Sequence, residues 1–398
     1  MDVKKQAGAL QDQLVRWRRD LHRIPELGCD LPQTSKYVQG CLSQMGIPFV
    51  TMVKGSGIVA TIRGEGAAGG KTVALRADMD ALPIKEEAPV DFKAEGGNMH
   101  ACGHDAHTAM LLGAAKILND GKAHLNGSVK LIFQPGEENP GGAKPMIQEG
   151  ALEGVDAIFG QHVGALQSDV KVSGKIVVSR GAVMACRDSF KIKIIGRGAH
   201  SSSPHLSVDP IAVAAQVING VYMMKAREFS ALDPVVISIC MVRGGTANNI
   251  IPMSVEMEGS TRSLNQQTRE KIAARIEAVL KNTCEAYGAS YQFDFLWDYD
   301  ITKNNPDMAD LVIRAAKDLA FGDDIVQQAS PIMGSEDMSF FLNKVPGAYY
   351  FLTSLVFQNG EVFGHHHPKF MLDESIFSKG AALLAQIAKN YLDPPANA

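Results

Sequence analysis

Up to residue 184, segments with apolar residues at helical spacing (6–22, 34–45 and 107–118) alternate with short apolar or β-branched runs at 57–62, 72–76, 129–133 and 155–159. The first kind buries one stripe of a helix and the second a strand, so the pattern predicts an α/β sheet covered by helices on both faces. Near Met184 the period changes. Residues 190–195 alternate apolar and basic side chains, as on a half-buried strand. A helix at 209–224, strands at 235–242 and 254–259, a long helix at 266–287 and a strand at 291–296 follow. That order predicts an α+β unit of split βαβ type. From 306 to 391 helices and strands alternate again. The expected fold is a two-domain α/β chain. One α/β domain comprises residues 1–184 and 303–398, and an inserted α+β domain covers 185–302. Internal repeats and low-complexity tracts are absent, and 64–70 reads as a flexible loop.

Composition narrows the class without naming a chemistry. The 398 residues are 45% hydrophobic and 21% charged, with a net charge of −4. Those values suit an ordinary globular protein and give no electrostatic case for nucleic acid. No apolar run approaches the roughly 20 residues of a membrane span. Residues 1–20 are polar and lack the apolar core of a signal peptide. A cytoplasmic location, with neither nucleic acid nor membrane as partner, is expected. The cysteines Cys29, Cys41, Cys102, Cys186, Cys240 and Cys284 are too scattered for a disulfide scaffold and are expected to be reduced.

Candidate chemistry concentrates in four places. His100-Ala101-Cys102-Gly103-His104-Asp105-Ala106-His107 crowds a thiol, imidazoles and a carboxylate together, and thiolate and imidazole are good ligands for zinc and similar metals. Gln134-Pro135-Gly136-Glu137-Glu138 follows a strand, where α/β enzymes place their sites. One carboxylate of such a pair can bind metal while the other moves a proton. His162 stands two residues past a strand ending at Gly160, and His365-His366-His367-Pro368 precedes the last helix. Singly, each has an ordinary structural reading; the order in which they fall on an α/β pattern points to a metal centre.

With these segments in place, the chain resembles the amidohydrolases of the M20 metallopeptidase superfamily, in the branch of hippurate hydrolases, N-acyl-amino-acid deacylases and auxin-conjugate hydrolases. The resemblance covers nearly the whole chain. It also rests on Asp20-Leu21-His22 with Pro25-Glu26-Leu27, Arg76-Ala77-Asp78-Met79-Asp80, Gly196-Arg197-Gly198-Ala199-His200, Asn249-Ile250-Ile251-Pro252 and Gly334-Ser335-Glu336-Asp337. It implies two divalent metal ions per chain, zinc or manganese, with nickel or cobalt as alternatives. The implied ligands are Cys102, His104, Glu138, His162 and His366, with Cys102 bridging. It further implies Glu137 as general base, Asp80 as the residue orienting a ligand, and His200, Asn249 and Arg262 as contributions of the inserted domain, a lid and dimerisation domain in this family. A homodimer acting on a small N-acyl amino acid is the expected assembly. Departures, including Gly136 where the family often has Ala and Ser201–Ser203 after His200, bear on the substrate.

The residues suit that chemistry. A metal-activated water needs a base, which Glu137 can be. The oxyanion needs a donor, for which His200 is the candidate. Arg262 offers a fork of donors to a substrate carboxylate. The rival readings are a dipeptidase or carboxypeptidase on the same site, a thiol hydrolase with Cys102 as nucleophile and His104 as base, and a non-enzymatic metal-binding protein.

Overall fold

Asp2 caps the first helix of this chain, and the helical pattern predicted as a single element over 6–22 forms two helices. In the computed structural model they are α1 (Val3–Ala9) and α2 (Gln11–His22). They meet at Leu10, whose N–H reaches back to Ala7, just past Gly8, a poor helix former. The structure describes residues 1–66, 70–167, 169–327 and 329–393; residues 67–69 of the predicted flexible loop lie outside them. Contacts divide the chain into two units, Met1–Val183 with Lys303–Ile332 and Asp337–Ala398, and Met184–Thr302 with Met333–Glu336. The stretch Met333–Glu336, which the sequence places with the flanking domain, packs with the insertion. Its Gly334 carbonyl accepts the Ala185 N–H and its Glu336 carbonyl accepts the Thr302 hydroxyl.

The first unit continues with α3 (Pro32–Gln44), β1 (Phe49–Met52), β2 (Gly57–Arg63), β3 (Lys71–Asp78), α4 (His104–Asp120), β4 (Gly127–Gln134), α5 (Ala143–Gln148), β5 (Ala157–Gly164) and β6 (Ile176–Val178). Its strands form part of an eight-stranded sheet. The insertion supplies β7 (Arg187–Ile195), α6 (Pro210–Glu228), β8 (Val235–Gly244), β9 (Ser254–Ser263), α7 (Gln266–Tyr287) and β10 (Ser290–Tyr299). The first unit resumes with α8 (Pro306–Asp318), β11 (Ile325–Gln327), α9 (Met338–Leu342), β12 (Gly347–Thr353) and α10 (Phe377–Leu392). The large sheet runs β1-β2-β4-β3-β5-β12-β6-β11, and its centre, β4-β3-β5-β12, is parallel. Those central strands read as near-continuous apolar runs because helices cover both faces. Among the described residues no helix is long and apolar enough to cross a membrane. All six cysteines are free.

In the inserted unit the sheet order is β8-β9-β7-β10, antiparallel throughout. Phe190, Ile192 and Ile194 of β7 face a core completed by Val213, Val217 and Val221 of α6 and Ile272, Ile276 and Leu280 of α7, at helical spacing. Lys191 and Lys193 alternate outward. Buried in this unit, the Arg269 fork grips Asp188 through two bonds of 2.8 and 2.6 Å. Arg269→Ala is expected to strand the Asp188 carboxylate and to lower the unfolding free energy by about 3–5 kcal/mol. Urea titration of the full chain measures this. A loss below about 1 kcal/mol would class the pair with solvent-screened surface bridges.

Candidate metal centre

Three neighbouring parallel strands deliver polar residues to one edge of the sheet. β3 ends at Asp78, and the chain runs on to Asp80; β4 ends at Gln134 and turns into Pro135-Gly136-Glu137-Glu138; β5 carries His162. This is the carboxyl side of the strands, where open α/β sheets bind ligands. Gly103, at φ +90°, takes a left-handed turn that L side chains rarely adopt. The turn leaves Cys102 outside α4 and makes His104 its first residue. The helix thus begins three residues earlier than the predicted 107. His162 also differs from expectation, because it lies within β5. Gln161 and His162 resemble a strand end, yet pairing with β12 carries the ladder on to Gly164. Gly136, at φ +69°, shapes the acidic turn, and a Cβ there would fall 2.5 Å from Cys29 Sγ.

Most of the residues singled out in the sequence converge here. His162 Nδ1 donates to the Val163 carbonyl at 3.0 Å, so its Nε2 lone pair faces Cys102 Sγ at 3.5 Å. His366 Nε2 is 3.0 Å from Glu138 Oε1. His104 Nδ1 is 3.3 Å from Asp80 Oδ1. Neither ring nitrogen of buried His104 makes an aligned hydrogen bond among the described residues. The donor atoms of Cys102, His104 and His162 lie within 4.8 Å of one another, and so do those of Cys102, Glu138 and His366. Two groups of three therefore share one thiol. Asp80 accepts the N–H groups of Glu137 (2.9 Å) and Glu138 (3.1 Å), which ties the acidic turn to the residue facing His104. Glu137 is buried, and its Oε1 accepts the Asp337 N–H at 3.3 Å.

The electrostatics suit a cation. Burial raises the Cys102 pKa well above that of an ordinary thiol, and the Glu138 and Glu137 carboxylates add to the effect. Burial disfavours a charged His104, but Asp78 and Asp80 outweigh it and raise the pKa to about 10. Burial likewise opposes ionised Glu138, whose pKa is nevertheless lowered by His366 and His104. These are buried donors amid surplus negative charge, where a proton is held unless a dication displaces it. The donor set fits divalent metal. The same environment counts against a thiol hydrolase, because a nucleophilic cysteine needs a lowered pKa.

Residues that the sequence motifs contain, but to which no role was given, brace the site. Asp78 Oδ1 is 2.6 Å from His107 Nδ1, and the Arg76 guanidinium bridges Asp78 and Asp337 at 2.7 and 2.9 Å. Their advance signal was membership of the His100–His107 cluster and of the Arg76–Asp80 and Gly334–Asp337 segments that carry the resemblance. The Asp20-Leu21-His22 segment also finds a role. Asp105, beside His104 at the start of α4, is 2.8 Å from Arg18 Nε and 2.7 Å from His22 Nδ1. Burial opposes its ionisation, but Arg18 and His22 hold its pKa far below the carboxylate range.

In the inserted unit, His200 and Asn249 line one groove with Ile250 and Met253. The Ser202 N–H donates to His200 Nδ1 at 3.2 Å, which leaves the proton on Nε2 of this exposed ring. Arg262 stands apart, half-buried near the other end of β9, with its Nη1 on the Thr261 carbonyl at 3.0 Å. Eight residues of strand separate it from Ser254 at the groove, about 26 Å.

Comparison with known proteins places these features in company. Residues 74–390 match the peptidase family M20/M25/M40. Thermostable carboxypeptidase 2 of Saccharolobus solfataricus is 40% identical over 395 residues, covering 98% of each chain. N-acetylcysteine deacetylase of Bacillus subtilis is 36% identical over 388 residues, covering 97% of this chain and 98% of its own. The crystal structure of Bacillus subtilis YxeP, a dinuclear metal binding peptidase from the M20 family, superposes with a TM-score of 0.85 at 32% identity, covering 98% of this chain and all of the other.

Proposed function

Since this chain belongs to the peptidase family M20/M25/M40, whose members hydrolyse C–N amide bonds, we propose that it cleaves an N-acyl amino acid at a centre of two divalent ions. The observation that carries the proposal is the pair of ligand groups sharing Cys102. Cys102, His104 and His162 would hold one ion, and Cys102, Glu138 and His366 the other; zinc suits the thiolate and imidazole donors, and manganese the carboxylate. Bound there, the ions supply a Lewis acid for the scissile carbonyl and lower the pKa of a water toward neutrality. Glu137 takes the proton of the attacking water and returns it to the leaving nitrogen. Asp80 orients His104 and the acidic turn together.

The inserted unit supplies the remaining contacts. His200, with its proton on Nε2, donates to the developing oxyanion, with Asn249 beside it. Arg262 holds the substrate carboxylate. A small acyl amino acid cannot span the 26 Å or so between Arg262 and the His200 groove. That separation supports a homodimer in which one chain's Arg262 works with the partner's His200. The exposed edge strand β8 and the exposed Tyr222 and Met223 of α6 support pairing through this unit.

Relatives at 40% and 39% identity are thermostable carboxypeptidases, which favours peptide cleavage as the second reading. Turnover of acetyl-, benzoyl- and indoleacetyl-amino acids, set against dipeptides with a free α-amino group, separates the two. Elemental analysis of gently purified protein is expected to find close to two divalent ions per chain, and chelation to abolish turnover. Activity that survives in metal-free protein would overturn the proposal.

A further inference from the structure

The carboxyl end of β5 carries backbone groups that set the proton position of three neighbouring histidines. A carbonyl can only accept, so the Val163 C=O fixes the proton of His162 on Nδ1 and frees Nε2 as a ligand. A backbone N–H can only donate. The Val163 N–H points at His107 Nε2 at 2.9 Å, so His107 carries its proton on Nδ1, 2.6 Å from Asp78 Oδ1. In the same way the Ala165 N–H points at His365 Nε2 at 3.1 Å. His365 therefore carries its proton on Nδ1, and that nitrogen faces Cys102 Sγ at 3.7 Å.

The three adjacent histidines thereby take three separate roles. His366, at φ +61°, turns its ring to Glu138. His367 stacks on Phe363 at 4.5 Å, and its Nδ1 accepts the Lys369 N–H at 3.0 Å. His365 is held by the strand end itself. Its ring lies so close to Gly164 that a Cβ there would fall 2.3 Å from its Nε2, an approach that only glycine permits.

We propose that His365 is a positioning residue, whose Nδ1–H donates a hydrogen bond to the shared Cys102 thiolate and is no ligand itself. This rests on the two-ion reading given above. The donor would stabilise the thiolate as its proton leaves and would restrain the charge the sulfur gives to the ions, as partners of metal ligands do. Removing such partners typically weakens metal binding about 10- to 100-fold.

The test uses full-length protein loaded with cobalt, read by its thiolate-to-metal charge-transfer band and by chelator competition. In His365→Asn the side-chain amide nitrogen can replace Nδ1–H, and the wild-type band position and affinity are expected. In His365→Gln the amide reaches the Nε2 position and leaves the sulfur without a donor. The band is then expected to move to longer wavelength, with binding weakened about 10- to 100-fold at unchanged stoichiometry. Loss of one cobalt per chain in both variants would make His365 a ligand and overturn the proposal. So would a band unmoved in His365→Gln, or moved equally in both variants. A wild-type protein that binds cobalt without any thiolate band would instead sink the two-ion reading, since Cys102 would then be no ligand.

Discussion

Glu137→Gln is expected to lower turnover by about two to four orders of magnitude while leaving metal content and fold intact. The amide keeps the size of the carboxylate and can still accept the Asp337 N–H, but it cannot take a proton from water. Glu138→Gln is the control. That side chain is 3.0 Å from His366 in one of the ligand groups, so its neutralisation should weaken metal binding first and turnover through it. Metal titration and kcat measured on both variants decide the matter. Equal metal loss in the two would show that the neighbouring carboxylates do not divide the labour.

His200→Ala is expected to lower turnover by about two to three orders of magnitude without metal loss, the usual scale for removing an oxyanion donor. Mixing this variant with Glu137→Gln chains and allowing subunits to exchange tests which chain the donor serves. With shared sites, each mixed dimer holds one site with both defects and one with neither. At equal mixing, half of the dimers are mixed, so recovery of about a quarter of the wild-type rate is expected. Exchange without recovery would place His200 in its own chain's site or outside the reaction.

Much of the architecture is local enough to be legible in sequence. Asn265 and Gly288 bracket the apolar period of α7, and the helix runs over Gln266–Tyr287, as that period predicts. The alternation at 190–195 yields β7, and the order of periods yields the split βαβ layer. Motif order likewise announced the ligand candidates, because thiol, imidazole and carboxylate types are visible one residue at a time. Other features depended on partners distant in sequence. The length of β5 followed from β12, nearly 200 residues away, which extended the ladder through His162. The sharing of Cys102 between two groups needed strands and loops brought together from residues 102, 138, 162 and 366. Which nitrogen of each histidine holds its proton was decided by single backbone groups of Val163 and Ala165, 56 to 200 residues from His107 and His365. The chain could announce its periods and its ligand types, because both are properties of neighbours in sequence. The tertiary structure alone could show which nitrogen each of these like histidines turns to the backbone, because a hydrogen-bond partner is a property of position in space.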